Sequence, residues 1–129
     1  SPEREIGVFP VTLTEAGLAD DHIKGFGKTL NTGHWHGDMP GLTDNAVVLA
    51  ISQGCPRQIV RFSPKHYAFQ AHLEFDPDAV ELLITADGEE QLRKQSEKLP
   101  FVQTPEELRE NDYSEMNVKL YAFLDSLVN

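Results

Sequence analysis

The chain has 129 residues, 40% of them hydrophobic with seven Phe and one Trp, a composition for one globular domain with a modest core and not for a disordered segment. Formal net charge is −10 with the few cations scattered, which argues against phosphate-backbone binding, and no run approaches the roughly 18 apolar residues of a membrane span. No secretory signal is visible, and a single cysteine, Cys55, excludes an internal disulfide framework, so the expectation is a reducing, cytoplasmic setting with neither nucleic acid nor membrane as partner.

Residues 5–13 (EIGVFPVTL) read as a strand rich in β-branched and aromatic residues, with Pro10 restricting it to an edge or a bend. Residues 14–27 read as a loop and then a short helix, with Asp20 and Asp21 in its first turn and Gly25 and Gly27 at its stop. Residues 29–36 form a second strand that runs into a dense turn signal, Gly37-Asp38-Met39-Pro40-Gly41. An apolar strand over 46–52 is broken by Gly54-Cys55-Pro56, and strands over 58–62 and 66–73 flank a hairpin at Ser63-Pro64-Lys65. The pattern then turns helical. Asp76 is an N-cap before Pro77, and Val80, Leu83 and Ile84 make an apolar stripe. Thr104 and Glu107 have the spacing of a capping box, and Met116, Leu120, Phe123, Leu124 and Leu127 read as the core face of a last helix over 113–127, not as a binding groove. Strands followed by helices, without β-α-β alternation, suggest an α+β order within a single domain of 1–129: residues 1–75 mainly β and 76–129 a helical tail.

Two clusters could carry chemistry. In Phe69-Gln70-Ala71-His72-Leu73-Glu74, side chains two residues apart share a face of a strand, so His72 could act as a base with Glu74 fixing its tautomer. The bland alternative is a surface His and Glu at a strand end. In His34-Trp35-His36-Gly37-Asp38 the two histidines share a face. With Asp38 they suit a metal-ligand set, and a wider set would join His34, His36 and His72 to Asp38 or Glu74. The competing reading is a strand-to-turn segment whose backbone groups and Trp35 line a small polar pocket. No metal ligand and no cofactor is assigned. Cys55, between Gly54 and Pro56, has no helix N-terminus to activate it and reads as structural.

Four motifs in order, the segment from Glu5 to Leu18, His34-Trp35-His36-Gly37-Asp38, Gly54-Cys55-Pro56-Arg57-Gln58 and the His72–Glu74 segment, resemble the C-terminal half of a class I glutamine amidotransferase domain of the GMP-synthase glutaminase type. The resemblance runs from about Glu5 to Glu81 and continues more weakly through the helical tail. It implies an α/β, flavodoxin-like, three-layer domain, of which residues 1–129 are a partial domain, and a Cys-His-Glu triad that hydrolyses the side-chain amide of glutamine and releases ammonia. His72 and Glu74 are carried over as catalytic, and Trp35, Gly37 and Asp38 as part of the glutamine pocket. In the family motif Gly-x-Gln-Phe-His-Pro-Glu, Ala68, Ala71 and Leu73 here replace the Gly, the Phe and the Pro. The family nucleophile sits in a Gly-x-Cys-x-Gly elbow upstream of the segment matching Glu5, and Cys55 matches a different position. The chain is therefore expected to be inactive alone, and to associate with a missing N-terminal half or with itself. A non-catalytic binding or scaffold module is the alternative from another class.

Overall fold

A computed structural model describes residues 4–36 and 45–128 of the chain. Its strands are β1 (Glu5–Leu13), β2 (Thr29–His36), β3 (Val47–Ser52), β4 (Cys55–Ser63) and β5 (His66–Phe69). Its helices are α1 (Glu15–Ala19), α2 (Pro77–Asp87), α3 (Glu89–Lys98), α4 (Pro105–Glu110) and α5 (Ser114–Val128), with a 3₁₀ turn at Lys24–Phe26. The five strands form one antiparallel sheet in the order β2-β1-β3-β4-β5. Bulges in the β3–β4 and β4–β5 pairings sharpen its twist, and the sheet curls until the chain just beyond β5 meets the opposite edge: His72 bridges to Gly33 of β2.

Strand β1 is the spine of this arrangement. It pairs with β2 along its length, and with β3 at Thr12 and Leu13. At its other end Ile6 exchanges backbone hydrogen bonds with Phe101 and Gln103, both 2.8 Å, in a parallel bridge that ties the helical half to the sheet. The Gln103 carboxamide accepts from Val8 N–H at 3.1 Å. Ile6 and Val8 thus turn their backbone groups to this second edge, and by alternation Pro10 does too, where its missing N–H interrupts no ladder with β2. Gly7 makes the Gln103 clasp possible. Its φ is +137°, and a Cβ there would lie 2.4 Å from the Gln103 side-chain oxygen.

Several boundaries differ from the sequence reading. Helix α1 starts directly after Thr14, whose hydroxyl accepts from Gly17 N–H, so Asp20 follows the helix instead of opening one. Cys55 and Pro56 lie inside β4, and the break falls on Gln53 and Gly54. Strand β5 ends at Phe69, so His72 and Glu74 lie past the hairpin, held by a single bridge instead of a ladder. The helical signals hold: Asp76 caps α2 and Thr104 caps α4. Ile6, Val11, Ile23, Leu49, Ile59, Val80, Ile84, Leu92, Leu108 and Met116 form one buried core between the sheet and the helices. In α5, Met116 and Phe123 are buried as expected. Leu124 is 47% exposed, and with Leu120 and Leu127 it lines an apolar groove of about 350 Å³ against β5, so this face is not wholly core.

Candidate functional site

Beyond β5 the backbone is fixed three times before α2 begins. Gln70 N–H donates to Gln58 C=O at 2.8 Å. His72 and Gly33 exchange two hydrogen bonds, of 2.7 and 2.9 Å. Asn117 of α5 donates to the carbonyls of Leu73 (2.6 Å) and Phe75 (3.0 Å), which clamps the chain on both sides of Glu74. On this support His72 Nδ1 lies 2.8 Å from Glu74 Oε2. A carboxylate oxygen accepts, so the imidazole carries a proton on Nδ1, and in the neutral tautomer Nε2 is the lone pair. The ring lies flat on Phe75, 4.8 Å between centroids and 5° between planes. Gly33 permits that stack, because a Cβ at this position would come within 2.3 Å of the Phe75 ring. The His72 side chain is 35% exposed and that of Glu74 59%, so the pair is open to a substrate.

Trp35 stands in the same place. Its indole N–H donates to Asp87 Oδ2 at 2.8 Å, and its ring meets Phe75 edge-on at 6.4 Å. Trp35, His72, Glu74, Phe75, Leu82 and Leu83 line a mainly apolar groove of about 420 Å³, with the imidazole and the carboxylate as its polar groups. The structure therefore brings together three of the five expected site residues. The other two, Gly37 and Asp38, lie outside the described residues.

The histidines of β2 have a neighbour that the sequence did not suggest, while Asp38, the carboxylate it did suggest, lies outside the described residues. In the β1–β2 register Glu5 faces His36 and Gly7 faces His34, so Glu5, His34 and His36 share one face. His34 Nδ1 lies 3.3 Å from His36 Nε2, which is 3.4 Å from Glu5 Oε1. Ser52 Oγ donates to Glu5 Oε2 at 2.8 Å and Gln58 Nε2 to Glu5 Oε1 at 2.6 Å. Burial, opposed by a hydrogen bond to Phe9 C=O, pulls the His34 pKa down to about 3. The wider set that would join His34 and His36 to His72 and Glu74 is not assembled: His72 turns to Glu74 and stacks on Phe75, while Glu5 takes the third place beside the β2 histidines.

Cys55 is buried at the start of β4, its S–H directed at Arg57 C=O at 3.7 Å, and burial pushes its thiol pKa up. That is the environment of an inert thiol. Sequence reasoning missed Glu5, Gly33, Phe75 and Asn117. For Glu5 a signal existed, a charged residue at the head of an apolar strand. The other three act through pairings made across the fold and leave no local mark.

No family model matches the chain. Among curated proteins it is similar to the glutamine amidotransferase-like protein YfeJ of Salmonella typhimurium, 52% identical over 127 residues. That match covers 98% of this chain and 52% of YfeJ, so the chain spans about half the length of the curated relative. The solved structure of SMU.1228c is 55% identical with a TM-score of 0.95 over all of this chain and 54% of that one. A glutamine amidotransferase of Thermotoga maritima (20% identity, TM-score 0.81) and one of Methylobacillus flagellatus (22%, 0.79) share the fold over 53% and 52% of their own chains. The curled sheet with its helices is therefore the fold of about half of each of these proteins.

Proposed function

Since the chain belongs to the class I glutamine amidotransferase-like family, we propose that it supplies the general base and its orienting acid to a site that hydrolyses the side-chain amide of glutamine. The observation that carries this reading is the 2.8 Å contact between His72 Nδ1 and Glu74 Oε2, which leaves Nε2 free to take a proton. In the complete site His72 deprotonates a cysteine thiol and later protonates the departing ammonia, while Glu74 holds the tautomer and stabilises the imidazolium. Trp35, with Gly37 and Asp38 of the following turn, forms part of the glutamine pocket. The nucleophile comes from outside this sequence, because its one cysteine, Cys55, is buried with its S–H directed at Arg57 C=O. Residues 1–129 act as one partial domain, in a cytoplasmic setting, that completes itself with the remaining half of the fold or with a second copy.

Ammonia release from glutamine tests this. The chain alone is expected to release none. Supplied with the complementary half of YfeJ, it is expected to turn over, and His72→Ala is expected to cut that rate about 10²–10⁴-fold, the span for loss of a general base. Glu74→Gln lowers it less, and Cys55→Ala leaves it unchanged. Turnover by the chain alone that vanishes with Cys55→Ala overturns the proposal.

A further inference from the structure

The face shared by Glu5, His34 and His36 has the dimensions of a coordination shell. His34 Nδ1 to His36 Nε2 is 3.3 Å, His36 Nε2 to Glu5 Oε1 is 3.4 Å, and His34 Nδ1 to Glu5 Oε1 is 3.9 Å. Ligands at about 2.0–2.1 Å from a tetrahedral ion stand roughly 3.4 Å from one another, so two edges already have that length and the third exceeds it by about half an ångström. The side chains are 1%, 0% and 8% exposed for Glu5, His34 and His36, which shields such an ion from bulk water.

The outer hydrogen bonds also suit ligation. His34 Nε2 lies 3.2 Å from Phe9 C=O, which can only accept, so the proton is on Nε2 and the Nδ1 lone pair faces Glu5 and His36. Thr32 Oγ1, 2.9 Å from Nε2, can accept from the same N–H. A backbone carbonyl on the far nitrogen is the usual anchor of a ligating histidine. Ser52 and Gln58 hold the two Glu5 oxygens in turn, as partners of a ligating carboxylate do.

We propose that Glu5, His34 and His36 form a three-ligand site for a divalent transition-metal ion of the zinc class, adjacent to the His72–Glu74 pair and distinct from it. Two imidazoles and a carboxylate match the donor preference of that class, and a water molecule completes the fourth position. On binding, His36 carries its proton on Nδ1 and offers Nε2, a tautomer change that leaves its charge unaltered. The sequence supplied only two of these ligands. Glu5 lies 29 positions before His34 and joins them through the β1–β2 register.

The test is a titration of the untagged chain, stripped with a chelator, with Zn²⁺ by calorimetry and with Co²⁺ by visible absorption. The expected result is one ion per chain and the intense bands of tetrahedral cobalt. His36→Ala and the near-isosteric Glu5→Gln each weaken binding by more than about tenfold, whereas His72→Ala and Glu74→Gln leave it unchanged. Zn²⁺ also raises the melting temperature of the parent chain, a readout that does not depend on how the Glu5 variant folds. Absence of saturable one-to-one binding, no thermal shift with Zn²⁺, binding by His36→Ala equal to the parent, or binding lost in His72→Ala each overturns the proposal.

Discussion

Asp20 accepts hydrogen bonds from four residues. One carboxylate oxygen accepts from the N–H groups of His22 (2.9 Å) and Ile23 (3.1 Å), the other takes the Arg61 guanidinium of β4, and the Tyr67 hydroxyl of β5 reaches both. Its side chain is 1% exposed. Burial raises its pKa, but the bonds from His22, Tyr67, Arg61 and Ile23 together outweigh that and hold it below the ordinary value of 3.8. Tyr67 answers in the opposite sense: burial and the Asp20 carboxylate push its hydroxyl up to about 12, so it remains a donor. A carboxyl whose folded pKa is depressed stabilises the fold fully above its unfolded value, and that contribution fades as the pH falls through 3.8 toward the folded value. Asp20→Asn is therefore expected to cost about 3 kcal/mol at neutral pH, the order for removing one partner of a buried pair. In urea unfolding the gap between parent and variant should close as the pH drops below 3.8. A gap that persists unchanged in acid contradicts this account.

Helix α4 is six residues long and too short to hold by propensity, so its ends and contacts decide it. Thr104 Oγ1 accepts from Glu107 N–H at 3.2 Å, and Glu107 Oε1 accepts from Thr104 N–H at 2.9 Å, a reciprocal cap that satisfies donors at the helix start. Arg109 joins α4 to α2 and α3 through Glu81 and Glu89. Those pairs are solvent-exposed and screened, so the cap is the larger lever. Thr104→Ala is expected to lower unfolding stability by about 1 kcal/mol, read from the denaturant midpoint at constant slope. Arg109→Ala should move that midpoint less than Thr104→Ala does. The capping residues of α2 and α4 were legible in the sequence because a cap is made of neighbours. The true start of α1 was not, since Asp20 resembles a first-turn acid and only its long-range bonds to Arg61 and Tyr67 give it another task.

The curled sheet closes on itself through the His72–Gly33 bridge, yet apolar surface remains outside. Val118, Tyr121, Leu124 and Val128 lie at helical spacing along α5 and are 47–82% exposed, next to the groove that Leu120 and Leu127 line against β5. Leu82, on the rim of the Trp35 groove, is 73% exposed. Apolar stripes of this kind mark surfaces that seek cover. The chain is therefore expected to self-associate through these residues, with an apparent mass by light scattering that rises with concentration. Val118→Lys with Tyr121→Lys should suppress that rise. A parent chain that stays monomeric at high concentration refutes the expectation. Among the described residues no helix is long and apolar enough to cross a membrane, so these stripes are not a span.

The amino-acid order alone was enough for the strands-then-helices layout, the caps of α2 and α4, the hairpin at Ser63-Pro64-Lys65, and the pairing of His72 with Glu74. These rest on contacts within a few positions, where side-chain period and turn chemistry act directly. The partners of the β2 histidines, the Phe75 floor beneath His72 and the Asn117 clamp came only from folding. Each joins residues far apart in the chain, and which of many possible partners meets which is set by strand register and sheet curl, properties of the assembled backbone that no local stretch encodes.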